Sequence, residues 1–333
     1  MLPGILAGLS LFATAAPASA LTQNPAVVTI GSNPSGSFSY LVNGQPQLFT
    51  GMGYNPIYGR LPYDQRMGRY DRDFKALCQA GVNTITGWDA DKGYEQDTFD
   101  ESTLDLAAKY GIGVIMPFYL PVNGDYTSQA LMDERWGAAI AKINKYKNHP
   151  ALRMWGVGNE VLADMPQAMW PAFMSYYLKL SDLFHAVDPN HPVIYRDAED
   201  VSVPFFAQSL QDSGDPRPWL QYGMNIYNHD PAQLLTTWPT YGLNRPLFVS
   251  EFGTQPGGWT TDRATGYATM WKSIRNFPDY VMGAAPYAWS TGGPESTDKI
   301  WGIMDASSNP VDGTFAALSS LWRAEPLANH SAC

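Results

Sequence analysis

Two glutamates follow apolar runs in this chain. Glu160 closes the stretch Trp155-Gly156-Val157-Gly158-Asn159-Glu160, directly after Ala151-Leu152-Arg153-Met154, and Glu251 follows Leu247-Phe248-Val249-Ser250. A carboxylate at the end of a buried strand is costly unless it is paired or used. Two such groups facing one another across a barrel mouth can divide a reaction between them. One, kept protonated, gives its proton to a leaving alcohol; the other, ionised, attacks an anomeric carbon, and the two stand roughly 5–5.5 Å apart. A raised pKa on the first and hydrogen bonds to the second would separate the roles.

The elements that must position these residues follow a repeating pattern. Apolar strands are predicted at 48–54, 83–88, 114–119, 151–160, 192–195, 220–227, 246–250 and 281–289. Amphipathic helices are predicted between and after them, at 72–79, 102–109, 129–146, within 165–187, and at 204–211, 231–237, 264–276 and 313–323. Gly81 and Gly111 stand where C-terminal helix caps are expected. About eight βα repeats without a linker predict an α/β fold, a single (β/α)8 TIM barrel over 48–333. Strands at 27–30 and 37–42 around turn-rich sequence, with Asn43-Gly44 as a second turn, predict a short N-terminal β-hairpin cap over 21–47. The two glutamates then end the fourth and seventh strands. In the loops, 161–171 with Met165 and Trp170 is expected to wall the cleft, and 291–300 to close its far side.

The segment from Asn148-His149-Pro150 through Glu160 resembles the acid/base strand of the β-galactosidase and β-glucuronidase family. That family lies within the large superfamily of retaining (β/α)8 glycosidases, clan A, whose catalytic glutamates lie on strands four and seven. Leu247-Phe248-Val249-Ser250-Glu251-Phe252-Gly253 is similar to the superfamily's nucleophile strand. The likeness implies Glu160 as acid/base, Glu251 as nucleophile, and Asn159 as a ligand of the sugar 2-hydroxyl. It further implies that Tyr227, in Asn225-Ile226-Tyr227, hydrogen-bonds the nucleophile and that Trp289, ending strand eight, floors the sugar site; Asn225 joins the substrate-binding set. The chain departs from the pattern at strand two, where Asn83-Thr84-Ile85 is followed by Thr86 instead of arginine. Arg196 at the end of strand five is the candidate to support Glu251 in its place, and Trp88 and Asp89 are candidates for substrate contact. His229, just after strand six, is a candidate for the rim of the site. The segment 78–85 is also similar to fungal β-1,3-glucanosyltransferases, so transglycosylation stands as an alternative to hydrolysis. A non-catalytic carbohydrate-binding barrel is a second alternative, motivated by Thr86.

Composition narrows the partners. A formal charge of −10 and a pI near 4.9 disfavour nucleic acid and anionic membrane surfaces, so a neutral oligosaccharide or polysaccharide is the expected partner. Most of the 11 Trp and 19 Tyr are expected to pack in the core, and the remainder to offer flat surfaces for sugar rings to stack on. Residues 1–20 form an apolar segment ending Ala18-Ser19-Ala20, which predicts a secretory signal and an extracellular or periplasmic protein, although no Lys or Arg precedes the apolar run. No later run is long and apolar enough for a membrane span. Cys78 and Cys333 are the two cysteines, which excludes a disulfide framework. Gly156-Val157-Gly158 lacks the third glycine of a dinucleotide fingerprint. No Gly-x-Ser-x-Gly elbow occurs, and His149, His185, His191, His229 and His330 lack metal-ligand spacing, so neither a cofactor nor a metal is expected.

Overall fold

A computed structural model describes residues 24–33, 35–88 and 99–327. Its centre is a closed barrel of parallel strands: β4 (Phe49–Gly53), β5 (Thr84–Thr86), β6 (Gly113–Phe118), β7 (Leu152–Asn159), β8 (Val193–Ala198), β9 (Leu220–Tyr227), β10 (Leu247–Gly253) and β11 (Val281–Pro286), with β11 pairing back onto β4. These strands are buried along nearly their whole length, so they read as continuous apolar runs instead of alternating ones. Around them run α1 (Tyr63–Ala80), α2 (Glu101–Lys109), α3 (Gln129–Tyr146), α4 (Val161–Asp164), α5 (Trp170–Val187), α6 (Val203–Ser213), α7 (Ala232–Leu235), α8 (Arg263–Ile274), α9 (Asp298–Trp301) and α10 (Thr314–Arg323). Local sequence sets several helix ends. Gly81 adopts φ 93° and returns its N–H to Leu77 and Cys78 carbonyls at the end of α1. Asp100 and Asp262 accept the backbone N–H of Thr103 and Thr265 at the starts of α2 and α8.

Below the barrel lies an antiparallel sheet of β1 (Val28–Ser32), β2 (Phe38–Val42) and β3 (Gln45–Pro46), one strand more than a hairpin. It stoppers the N-terminal end. Val28 donates to Asn190 O, in the turn before β8, and Phe38 donates to Asp279 O, before β11. Val28, Tyr40 and Val42 form one apolar cluster with Phe49, Ile115, Met154, Ile194, Phe248 and Met282, which come from six barrel strands. Tyr40 meets Phe248 edge-on, ring centroids 5.7 Å apart.

Four differences from the sequence expectation concern element ends. Helix α1 begins nine residues earlier than predicted, because Pro62 is pre-set for a helix start and the polar run after it continues an amphipathic face. The helix expected within 165–187 is α5, which starts at Trp170 after Pro166 and a 3-10 turn at Gln167–Met169, and the short helix α4 lies before it in the segment read as a loop. Strand β11 stops at Pro286 instead of running on to 289, since proline cannot donate to a following ladder. Helix α9 occupies part of the segment read as a loop.

Candidate active site

Strand β7 delivers Glu160 to the mouth through a tight corner. Gly158 has φ 75° and Glu160 itself lies in the left-handed region, φ 52° and ψ 26°. Its N–H donates to Arg196 O at 2.9 Å. The pairing of β7 with β8 slips in register between Gly156 and Asn159, and that of β10 with β9 slips between Phe248 and Glu251. Such slips re-aim side chains at barrel rims. Here they lie beside both glutamates.

Glu251 stands within β10, 4% exposed. The Trp88 indole N–H donates to its Oε1 at 2.6 Å. The Tyr227 hydroxyl donates to its Oε2. Glu160 accepts at Oε1 from the Asn225 amide, 2.8 Å away, whose Nδ2 also donates to Asn159 Oδ1 at 3.3 Å while its Oδ1 accepts from Ser250 Oγ at 2.7 Å. The three contacts fix the orientation of the Asn225 amide.

Arg196, 1% exposed, reaches across the barrel from β8. Its Nη1 donates to Thr86 Oγ1 at 3.1 Å and Gly87 O at 2.7 Å. Thr86 therefore occupies the strand-two position without supplying a charge, and it helps hold a guanidinium sent from strand five. That charge lowers the pKa of both Glu160 and Glu251.

Opposing effects act on the two carboxyls. Burial, and then the charge of Glu160, push Glu251 up to about 8, against the Tyr227 bond, the Arg196 charge and the Trp88 bond. Burial also raises Glu160, with the Asn225 bond opposing and the Asp164 charge adding to it. Two raised carboxyls in one site titrate as a unit and together retain one proton near neutrality. Each oxygen of Glu251 accepts a hydrogen bond, whereas Glu160 accepts from a single amide among the described residues, so hydrogen bonding favours the charge on Glu251. Burial and the charge of Glu160 act the other way on Glu251 and are the larger causes of its shift.

Both glutamates open into a cavity of ≈ 520 Å³, a volume suited to a small ligand. Asn159, Arg196, Tyr227 and Trp88 also line it. Asn225, expected to contact substrate, is instead fully buried behind Glu160 and Asn159. Trp289, expected to floor the sugar site, is 0% exposed and packs behind Tyr54 and against Phe315, outside the cavity lining. Because β11 ends early, the chain has already turned by residue 289, and Tyr287 takes the wall position, its ring 5.0 Å from Trp88 and its hydroxyl on Asp298 Oδ1 at 2.7 Å. His229 does not line the cavity; its Nδ1 lies 3.6 Å from Glu199 Oε1. Asp89 lies outside the described residues. Met165 and Trp170 are buried beneath the loop after β7, Trp170 packing on Phe205, and Asp164 faces the cavity from that loop instead. On the far side Pro294, Glu295, Thr297, Asp298 and Trp301 form the wall that the 291–300 segment was expected to supply. Tyr287, Trp301 and Asp164 line the cavity without having been expected there. Pro286 signalled the first and the i, i+4 spacing from Glu160 the last, whereas Trp301 carries no local signal.

The family described as glycosyl hydrolases family 2, TIM barrel domain, matches residues 38–280. A β-glucuronidase of Sus scrofa is 27% identical over 229 residues, which are 65% of this chain and 32% of that protein. A β-galactosidase of Vibrio cholerae is 23% identical over 282 residues, 78% of this chain and 24% of that protein. Among solved structures, a β-glucuronidase from Ruminococcus gnavus in complex with D-glucuronic acid gives a TM-score of 0.67 at 18% identity, covering 89% of this chain and 52% of that one. The Faecalibacterium prausnitzii β-glucuronidase gives 0.66 at 17% identity, covering 91% and 52%. The chain thus spans about a third or less of these curated relatives and about half of the solved chains.

Proposed function

The chain belongs to the glycosyl hydrolases family 2 TIM barrel domain family, and from that premise we propose that it is a retaining β-glycoside hydrolase acting by double displacement. The observation that carries this reading is the unequal support of two buried carboxyls at one barrel mouth, two donors on Glu251 and one on Glu160. In the first step Glu251 attacks the anomeric carbon while Glu160 protonates the departing glycosidic oxygen. In the second, Glu160 takes a proton from water as that water displaces Glu251. Tyr227 and Trp88 aim Glu251 and favour its ionised form, and Asn159 meets a sugar hydroxyl next to it.

The substrate we propose is neutral. Besides the two glutamates, the cavity presents Asp164, Glu295 and Asp298 against the single described cation Arg196, a lining that repels a uronate carboxyl. Relatives bear the name β-glucuronidase, yet this lining favours an uncharged β-linked sugar. The apolar segment 1–20 supports export.

The test is hydrolysis of a panel of aryl β-glycosides, uronides included, by wild type, Glu160→Ala and Glu251→Ala. We expect turnover of neutral glycosides and loss on the order of 10⁴-fold or more in Glu251→Ala, with azide rescue that yields a product of inverted configuration. A wild type that binds glycans but cleaves none of the panel would overturn the enzyme reading.

A further inference from the structure

The corner that carries Glu160 has no side-chain cap of its own. Glu160 is held in a left-handed conformation disfavoured for any residue with a Cβ, and the four-residue helix α4 that follows starts with N–H groups that no preceding turn can satisfy. Strand β8 meets three N–H groups of this corner. Tyr195 Oη accepts from Leu162 N at 2.9 Å, Arg196 O from Glu160 N at 2.9 Å, and Asp197 Oδ1 from Ala163 N at 3.3 Å.

Asp197 ties this comb together. It is 0% exposed, beside the cavity but outside its lining. Its Oδ1 also accepts from Ala198 N at 3.0 Å, and its Oδ2 accepts from the Tyr195 hydroxyl at 3.1 Å and from Ser202 Oγ. Tyr195 is in turn immobilised, its ring stacked on Phe206 with centroids 5.5 Å apart. A buried carboxyl that accepts from neutral donors and pairs with no cation among the described residues serves geometry in this place: it fixes one tyrosine hydroxyl and one helix N–H, which together set the path of the backbone leaving Glu160.

Resting on the reading of Glu160 as the acid/base, we propose that Asp197, acting with Tyr195, is a positioning residue for proton donation. It holds the Glu160 corner so that the carboxyl meets the glycosidic oxygen, without itself touching substrate. The class of event affected follows from the chemistry. Protonation of the departing oxygen matters greatly for a poor leaving group and little for an activated one, so a misplaced Glu160 slows one far more than the other.

The experiment compares Asp197→Asn and Tyr195→Phe with wild type and Glu160→Ala on phenyl and dinitrophenyl β-glycosides of the same sugar. The expected result is a fall in kcat/KM roughly 10–100-fold larger for the phenyl than for the dinitrophenyl substrate in both variants, mainly in kcat, echoing in weaker form the split shown by Glu160→Ala. A loss of equal size on both substrates, or no loss, would overturn the inference. Tyr195→Phe removes a single oxygen and retains the ring packing, so it carries the test where Asp197→Asn folds poorly; unfolding of both would assign the pair to stability and overturn it as well. A wild type whose Glu160→Ala variant shows no leaving-group split would instead sink the functional reading on which the inference rests.

Discussion

At the scale of single residues, the site turns on how a charge is supported. Arg196 lowers the pKa of both carboxyls from a buried position, anchored by Thr86 and Gly87. Arg196→Met, which keeps much of the apolar stem, therefore raises both. The acid and alkaline limbs of the kcat/KM profile are both expected to move to higher pH, with a loss at the optimum on the order of 10²-fold. A profile with unmoved limbs would show that the guanidinium does not serve the pair. Which donors reach Glu251 was only partly legible beforehand. Tyr227 was readable because it ends a strand in a familiar pattern; the bond from Trp88 was not, because β5 ends at Thr86 and the indole returns across the mouth only in the folded barrel.

At the scale of elements, closure of the barrel rests on close approach between its last and first strands. Gly283 in β11 has φ 128°, and a Cβ there would stand 2.1 Å from Phe49 O in β4. Backbone cannot yield as a flexible side chain would. Gly283→Ala is expected to destabilise by about 3 kcal/mol or more, read as a fall in the denaturation midpoint with no change in the denaturant slope. The basal sheet contributes differently, since it covers the end opposite the cavity. Tyr40→Ala removes a 2%-exposed ring from Phe248 and is expected to cost about 3–5 kcal/mol while leaving kcat per folded molecule unchanged. A drop in kcat without a drop in stability would contradict the separation of the two ends. Strand positions were largely readable, because burial on both faces leaves unbroken apolar runs. Their ends were less so. Proline at 62, 166 and 286 stands at three shifted boundaries, and the last of these exchanged Tyr287 for Trp289 at the cavity wall.

At the scale of the whole molecule, the buried acids make stability depend on pH. Glu251 lies at about 8, Asp197 at about 6, and Glu160 is raised, in each case first through burial. A group whose pKa is higher folded than unfolded holds its proton more tightly in the native state, so its contribution is fully present below the ordinary carboxylate range and is lost as pH rises through the folded value. Thermal stability is therefore expected to fall from about pH 4.5 to 8, with a cumulative cost on the order of a few kcal/mol. Glu251→Gln should remove much of that fall and unfold at a higher temperature than wild type at pH 8, while differing little near pH 4.5. Scanning calorimetry across the range decides it; a wild type that gains stability toward pH 8 would contradict these shifts. The site, on this view, is kept at the expense of stability at the pH where one carboxyl must be ionised.

The sequence by itself determined the order of βα units, the barrel class and the two glutamates, one just past strand four and one on strand seven. Those properties depend on neighbours along the chain: apolar runs, glycine and proline punctuation, and a polar group just past a buried segment. Only the tertiary structure decided that Thr86 accepts a hydrogen bond from Arg196, that Tyr287 and not Trp289 faces the cavity, and that Asn225 stands behind Glu160. It also decided the count of donors on each carboxyl. Such facts depend on distances between residues far apart in sequence, set by barrel closure and by where each strand stops, and local composition carries no record of them.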